Sequence, residues 1–266
     1  MPSNSLSDED PRVQVQTLDV ELESINLSFV EAHPGHERAF NDWYENDHFY
    51  AGGVLGPAVL AGRRWFAPRE SREARVWSED CPFPDPQLGT NLAMYFFTVP
   101  DGANRFREWV IPQLAELRSA GRMFAERTPL SIGFWDFDGV LELPGTTSIP
   151  PHVALDHPFQ GLVVVFARGA DPARAVIDPV LRVPQGSLVL TGTWRAEAPV
   201  VAQPDLRPLA PVAVALVFLR DSPAHTREAT QAIADAVGSA VGGSAFWGGG
   251  FEPIVPGEDS HLARIR

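Results

Sequence analysis

Lysine does not occur in this sequence, and all 21 residues of the Lys+Arg class are arginine. A chain without lysine has no side chain for a Schiff base, for anchoring pyridoxal phosphate or for the lysine of a nucleotide-binding phosphate loop. Arginine in place of lysine throughout a chain is typical of GC-rich bacterial coding. This absence excludes several kinds of site and identifies none.

Cysteine is nearly absent as well, since Cys81 is the one cysteine of the chain. A single thiol excludes an internal disulfide and any zinc or iron–sulfur site built from several cysteines. Long apolar runs are also missing: LVVVF and PVAVALVFL are strand-sized, whereas a membrane-spanning helix needs roughly 20 apolar residues. The N-terminal MPSNSLSDEDPR has neither the basic nor the apolar region of a signal peptide, so we expect a cytoplasmic protein.

Positive charge is in short supply, because 34 aspartates and glutamates give the chain a formal net charge of -13. With no basic stripe, nucleic acid and an anionic membrane surface are not expected as partners. His33 and His36 of the HPGH turn have no third ligand in the neighbouring sequence, so no metal is expected. A small-molecule substrate is the partner that this composition favours.

What the sequence does contain is a repeated order of strand-like and helix-like segments. The apolar periodicity predicts strand, helix, strand, strand, helix and strand in the first half. These segments are 25–32, 36–49, 58–67, 91–99, 104–120 and 131–138. The second half repeats the order with 161–169, 173–181, 187–197, 212–220, 226–241 and 245–254. We interpret this pattern as an internal duplication.

Each half has the β-α-β-β-α-β order of a ferredoxin-like unit, a four-stranded antiparallel sheet with both helices on one face. The strands are apolar on both faces, so each sheet needs a second cover, which the other sheet provides. We therefore expect an α+β fold in which two ferredoxin-like repeats pair their sheets into a pseudo-dimeric α/β barrel. The predicted segments are a disordered or extended N-terminus (1–22), a first repeat with the site (23–142), a Pro-rich linker (143–158), a degenerate second repeat (159–256) and a tail (257–266).

The first helix has an unusual composition, AFNDWYENDHFY at residues 39–50. Counting i+3, i+4, i+7 and i+8 from Phe40 gives a buried stripe that consists of Trp43, Tyr44, Asp47 and His48. Histidine is the side chain best suited to proton transfer near neutral pH. His48 is also open to a structural role at a helix end or in the core. The second repeat has no counterpart of this histidine, and packing alone would not require that difference, which favours a functional role.

The run FNDWYENDHF, followed by VLAGRRWF, resembles the Phe-x-x-Trp-Tyr-x-x-x-His helix and the next strand of the dimeric α/β-barrel superfamily, particularly its EthD-like proteins. The resemblance implies a ligand held between sheet and helices, with His48 as acid or base. Family members commonly have a proline where this chain has Tyr50, so the following turn is expected to differ. The second repeat lacks the motif and would act as a built-in partner.

Neighbouring strands supply the other candidate residues. Arg63 and Arg64 alternate on one strand, so one of them points inward to stabilise negative charge, and the sequence leaves open which. The candidate catalytic residues are thus His48, Asp47, Arg63 and Arg64. Predicted substrate contacts are Trp43, Tyr44, Trp65, Tyr95, Phe97 and Asp136. Core packing for Tyr95 and a solvated strand end for Asp136 are the alternative roles.

The resemblance implies a cofactor-independent enzyme, a lyase, isomerase, cyclase or dehydratase, acting on a small aromatic or polyketide-like compound by histidine acid/base chemistry in an apolar pocket of the barrel. A cofactor-free monooxygenase and a non-catalytic barrel that binds a small ligand are the alternatives. No cofactor is expected. Haem is an alternative, because some duplicated ferredoxin-like proteins bind it through a histidine, but usually in the other half, where this chain has no convincing candidate. The chain could be a monomeric pseudo-dimer or form a homodimer.

Overall fold

The computed structural model describes residues 20–169, 183–195, 213–223, 227–240 and 243–265. The first repeat comprises β1 (Leu22–Ala32), α1 (Glu37–Trp43), β2 (Val59–Phe66), α2 (Arg69–Glu73), β3 (Val76–Trp77), β4 (Asn91–Thr98), α3 (Gly102–Ser119) and β5 (Arg127–Val140). Between α1 and β2 the chain continues as two π-helical turns, Tyr44–His48 and Tyr50–Val54.

The second repeat comprises β6 (Gly161–Gly169), β7 (Leu188–Trp194), β8 (Ala213–Leu219), α4 (Arg227–Ala240) and β9 (Gly243–Pro253). The predicted helix 173–181 lies outside the described residues, as do residues 1–19 of the predicted N-terminal segment. The remaining predicted strands and helices are present in the predicted order. The short elements α2 and β3, and the π-helical geometry after α1, were not predicted.

The strands form one closed sheet. Their order is β2-β4-β1-β5-β7-β8-β6-β9-β3, and β9 also pairs with β2. Within each repeat this is the ferredoxin-like order, and the β5–β7 and β2–β9 pairings join the repeats into an eight-stranded antiparallel barrel, with β3 paired to β9 outside it. The predicted α+β fold, two ferredoxin-like repeats paired into a pseudo-dimeric α/β barrel, is therefore confirmed.

Side chains from both repeats fill the inside of the barrel. Residues of a strand alternate between its two faces, so Leu27 and Phe29 of β1 point inward together. Phe29 contacts Phe166 and Trp247 of the second repeat, with ring centroids 6.1 and 6.0 Å apart. The expectation of a ligand pocket inside the barrel is wrong, because interdigitated large side chains pack the interior as a core.

The outer faces of the barrel are covered by helices. On the first repeat, Tyr95, Phe97 and Phe134 of the sheet form an apolar cluster with Phe40 of α1 and Phe106 of α3. On the second repeat, alternate residues of β6 and β8 pack with α4 in the same way. The motif helix therefore meets the sheet on the outer face of the first repeat, and this contact positions the candidate site.

The linker and the tail pack against the barrel. Leu155 of the linker and Phe159, just after it, belong to the barrel core. After β9 the chain turns back along β2, where Ile254 and Ile265 pack on Phe66.

Among the described residues, no helix combines the length and the apolar character needed to cross a membrane.

Candidate functional site

The helix that carries the motif changes its geometry at Tyr44. α1 ends at Trp43, and π-helical turns follow. A π-helix has about 4.4 residues per turn instead of about 3.6, so each residue after Tyr44 rotates less about the axis than the α-helical count assumes. His48, four residues further on, stays near the buried stripe, whereas Asp47 turns away from it.

Asp47 consequently lies outside the site. Its carboxylate forms an ion pair with Arg122, whose Nε donates a hydrogen bond over 3.1 Å. This hydrogen bond is the main reason why the pKa of Asp47 lies below its ordinary value. The prediction that the stripe carries Asp47 inward is wrong, because that prediction assumed a regular α-helix.

His48 lies between aromatic rings and a glycine. Its imidazole stacks on the indole of Trp43, with centroids 4.3 Å apart, and meets Tyr44 edge to face at 5.2 Å. Gly52 leaves room for the ring, because a Cβ atom at that position would lie 2.7 Å from Cε1 of His48. No residue in the described part of the chain hydrogen-bonds to either imidazole nitrogen.

The environment of His48 keeps its imidazole neutral. Burial, and then the positive charge of Arg127, lower the pKa of His48 from 6.5 to about 4, against a weaker opposite effect of Asp47. A neutral imidazole has one nitrogen that donates a hydrogen bond and one that accepts. Near neutral pH His48 therefore offers one donor and one acceptor.

Tyr44 and Tyr95 form a buried hydroxyl pair. Their hydroxyls lie close enough for each to influence the pKa of the other, and Ser28 lies near that of Tyr44. Burial raises the pKa of both phenols, that of Tyr95 well above 10, although Arg64 opposes the shift. Both side chains are therefore neutral hydroxyls near neutral pH. Gly53 accommodates the pair, because a Cβ atom there would lie 2.5 Å from the hydroxyl oxygen of Tyr95.

These side chains line a cleft of about 50 Å³ between the sheet and the helical segments, which we call the His48 cleft. It is lined by Asn26, Ser28, Tyr44, His48, Gly52, Tyr95, Phe106, Val110, Leu114 and Phe134. Pockets for organic ligands usually measure about 300–1,000 Å³. In this conformation the cleft admits a molecule of a few non-hydrogen atoms and excludes the predicted aromatic or polyketide-like compound.

Two polar residues of the cleft, Asn26 and Ser28, were not predicted. They alternate in β1 with buried apolar residues, so the two-residue period of a strand places both on the outer face. Asn26 donates a hydrogen bond from Nδ2 to the carbonyl of Gly133 over 2.9 Å. The sequence signal that would have found them is a pair of polar residues at alternate positions of an otherwise apolar strand.

The two candidate arginines lie in different places. Arg63 donates to the backbone carbonyls of Leu155, His157 and Phe159 over 3.3, 2.8 and 3.4 Å and so anchors the linker. Arg64 is the arginine that faces the motif helix. Its side chain also borders a second concave surface.

Three predicted contact residues lie away from the cleft. Trp65 is fully buried inside the barrel, and Phe97 is fully buried behind the cleft lining, 4.9 Å from the ring of Phe106. Asp136 forms an ion pair with Arg195. The fold thus brings together His48, Tyr44 and Tyr95 of the predicted set and places Trp43 directly behind the imidazole.

No protein-family model matches the chain, and no curated protein matches it. Solved structures with a similar arrangement include a protein described as a chlorite dismutase, with 10% identity, a TM-score of 0.44 and coverage of 89% of this chain and 96% of the other. A variant of DypB from Rhodococcus jostii RHA1, in complex with haem, has 10% identity, a TM-score of 0.49 and coverage of 87% and 93%. The encapsulated DyP-type peroxidase from Mycobacterium smegmatis has 11% identity, a TM-score of 0.45 and coverage of 86% and 92%.

These neighbours contradict several functional expectations. They are described as a dismutase and as peroxidases, one in complex with haem, and not as cofactor-independent lyases or isomerases. The expectations of a cofactor-independent enzyme, of a cofactor-free monooxygenase and of no cofactor are therefore corrected. The EthD-like assignment is not confirmed. At such low identity the likeness concerns the fold alone.

The residues of the His48 cleft do not fit haem. His48 is enclosed between Trp43 and Gly52 on a cleft of about 50 Å³, which leaves no room for a macrocycle. The described residues of the second repeat include no histidine, and His225 lies outside them. No group of three or more potential metal ligands comes together among the described residues either.

Proposed function

We propose that the first repeat binds a small, uncharged, hydrogen-bonding molecule in the His48 cleft. The observation that carries this proposal is the imidazole of His48, which borders the cleft and has no hydrogen-bond partner among the described residues. Neither ring nitrogen is among the fully enclosed atoms, so a molecule in the cleft can reach the imidazole. A molecule with one acceptor and one donor would supply both partners that the neutral ring needs.

The charges around the cleft support an uncharged ligand. The imidazole of His48 and the phenols of Tyr44 and Tyr95 are neutral near neutral pH. Arg127 lies near enough to lower the pKa of His48, so its positive charge also disfavours a cation in the cleft. The hydroxyls and the imidazole bind a neutral amide or carbonyl compound without either partner having to change its charge.

The size of the cleft limits the affinity. The best small ligands gain about 1.5 kcal/mol per non-hydrogen atom, so a ligand of about four such atoms binds with a Kd no lower than roughly tens of micromolar. Acetamide has this size and carries both a donor and an acceptor. It is therefore a suitable probe for the cleft.

Titration of isotope-labelled protein with acetamide, followed by NMR, tests the proposal. We expect saturable shifts of the His48 ring resonances and none for His33, which is exposed and bonded to Thr128 over 3.1 Å. Gly52→Ala places a methyl group against the imidazole and should weaken binding at least tenfold. Ala51→Gly, one residue away, should preserve it.

Resonances of His48 that stay unchanged when acetamide reaches molar concentration would refute the proposal. A response of equal size in the Gly52→Ala variant would refute it too. Absorbance of the purified protein in the Soret region reports on haem independently of this titration.

A further inference from the structure

A second concave surface lies where β2, the π-helical turns, the linker and the segment after β9 meet. We call it the arginine groove, and the residues that define it here are Phe49, Tyr50, Arg64, Leu155, Ile254 and Val255. Its volume is about 320 Å³, which lies within the usual range of about 300–1,000 Å³ for ligand pockets. The groove is therefore large enough for an organic ligand that the His48 cleft excludes.

Arg64 borders this groove with an incompletely paired guanidinium group. Its side chain is buried, with 8% of the residue exposed. Nη2 donates to Oδ1 of Asn41 over 2.9 Å, and the guanidinium carbon lies 4.7 Å from the ring centroid of Tyr44. Nη1 is buried and has no hydrogen-bond partner in the described part of the chain. Arginine stays charged when buried. A hydrogen-bond acceptor beside the guanidinium would therefore supply the partner that Nη1 lacks.

The other charged residues at the groove are already engaged. Arg63 donates to three backbone carbonyls of residues 155–159, and the negative charge of Asp156 lies near it. The carboxylate of Glu45 accepts hydrogen bonds from the backbone N–H of Gly257 and from Asn41. Glu45 attracts Arg64 electrostatically, and no hydrogen bond joins these two side chains. An anionic ligand would therefore meet one incompletely paired cation, Arg64, with Glu45 as its acidic neighbour, whereas the charge of Asp156 lies beside Arg63.

The walls of the groove are apolar, and part of the rim is exposed. Leu155 and Ile254 are buried, whereas Tyr50 is 45% exposed and Val255 is 49% exposed. Large apolar side chains exposed together around one concave surface are typical of binding sites. The groove thus combines an apolar contact surface with a single deep positive charge.

We infer that the arginine groove binds a small organic carboxylate with an apolar or aromatic body. The carboxylate pairs with the guanidinium of Arg64, because charge-assisted hydrogen bonds of this type are the strong ones. The body of the ligand covers Tyr50 and Val255. This inference does not depend on the ligand proposed for the His48 cleft, since the two sites have different lining residues.

Calorimetric titration with benzoate, and with benzamide as its uncharged analogue, tests the inference. We expect benzoate to bind at least tenfold more tightly than benzamide. Arg64→Gln should lower the affinity for benzoate at least tenfold. Glu45→Gln should raise it severalfold, because the substitution removes the competing negative charge, and a gain in affinity cannot result from loss of the fold.

Arg63→Gln is the matched control, since it removes the other arginine of the groove, whose guanidinium already donates three hydrogen bonds to backbone carbonyls. We expect it to change the affinity for benzoate less than threefold in protein that thermal unfolding shows to be folded. Equal affinities for benzoate and benzamide, an unchanged affinity in Arg64→Gln, or no binding of benzoate to the unmodified chain would each overturn the inference. Binding of benzoate in the arginine groove should leave the ring resonances of His48 unshifted, whereas binding in the His48 cleft shifts them.

Discussion

Tyr44 separates the two polar centres of the first repeat. One face of its ring carries the guanidinium of Arg64, and its edge contacts the imidazole of His48. Its hydroxyl lies near those of Tyr95 and Ser28. A single residue of the motif therefore contacts both the charged group of the arginine groove and the neutral ring of the His48 cleft.

The lowered pKa of His48 makes the free energy of unfolding depend on pH. In the unfolded chain the imidazole takes up a proton near pH 6.5, whereas in the folded chain it stays neutral down to about 4. Between these values the unfolded state binds more protons, so stability is complete above pH 6.5 and decreases as the pH falls towards 4. We expect a loss of up to about 3 kcal/mol, measured by urea denaturation across this range.

The variant His48→Gln isolates this contribution. Burial also lowers the pKa of His261, so His261 adds to the slope in the same direction and remains in the variant. We therefore expect the pH dependence of the variant to be shallower than that of the unmodified chain. Identical slopes would show that His48 titrates normally in the folded protein.

At the scale of elements, the π-helical turns after α1 decide which motif residues reach the cleft. They also bring Gly52 against His48 and Gly53 against Tyr95, where no Cβ atom fits without a shift. Wider helical turns are frequent at functional sites. Here the wide turns and the glycines together make a space that a regular helix with larger residues would fill.

Gly53→Ala tests how closely this element is packed. The added methyl group would lie 2.5 Å from the ring and the hydroxyl of Tyr95, so we expect a loss of about 1–3 kcal/mol. Ala51→Gly in the same segment has no such contact to create and should cost about 1 kcal/mol or less through helix propensity. Denaturant unfolding of both variants checks the difference, and a smaller loss for Gly53→Ala would contradict the described packing.

At the scale of the whole molecule, the two repeats share one core. The pairings of β5 with β7 and of β2 with β9 close the barrel, and its interior holds side chains of both repeats. Trp65 of the first repeat, for example, contacts Phe218 of the second at 6.0 Å between ring centroids. Neither sheet can bury its inner face without the other.

Trp65→Ala should therefore destabilise both repeats together. We expect a loss of about 3–5 kcal/mol, the usual cost of a cavity left by a large aromatic side chain, within a single cooperative transition. Coincident unfolding curves from circular dichroism and tryptophan fluorescence would show this. Trp77→Ala is the control, because Trp77 is 40% exposed and should cost far less. Separate transitions for the two repeats would contradict a shared core.

The fold was predictable because short stretches of the sequence indicate its strands and helices. The periods of 2 and 3.6 residues locate strands and helices, and the repeated order indicates the ferredoxin-like units. The site was predictable only in part: the stripe of α1 identified Tyr44 and His48, but the count failed at Asp47, where the helix widens. Fold likeness does not show activity, so enzymatic function remains a prediction for this chain.

The sequence by itself determined the α+β duplication, the burial of both faces of each sheet and the asymmetry between a repeat with the histidine motif and one without it. These follow from periodicity and composition along the chain. Only the tertiary structure decided that the barrel interior is packed, that Arg64 and not Arg63 faces the motif helix, and that Trp65 belongs to the core. Such outcomes depend on contacts between residues far apart in the chain, which no local pattern records.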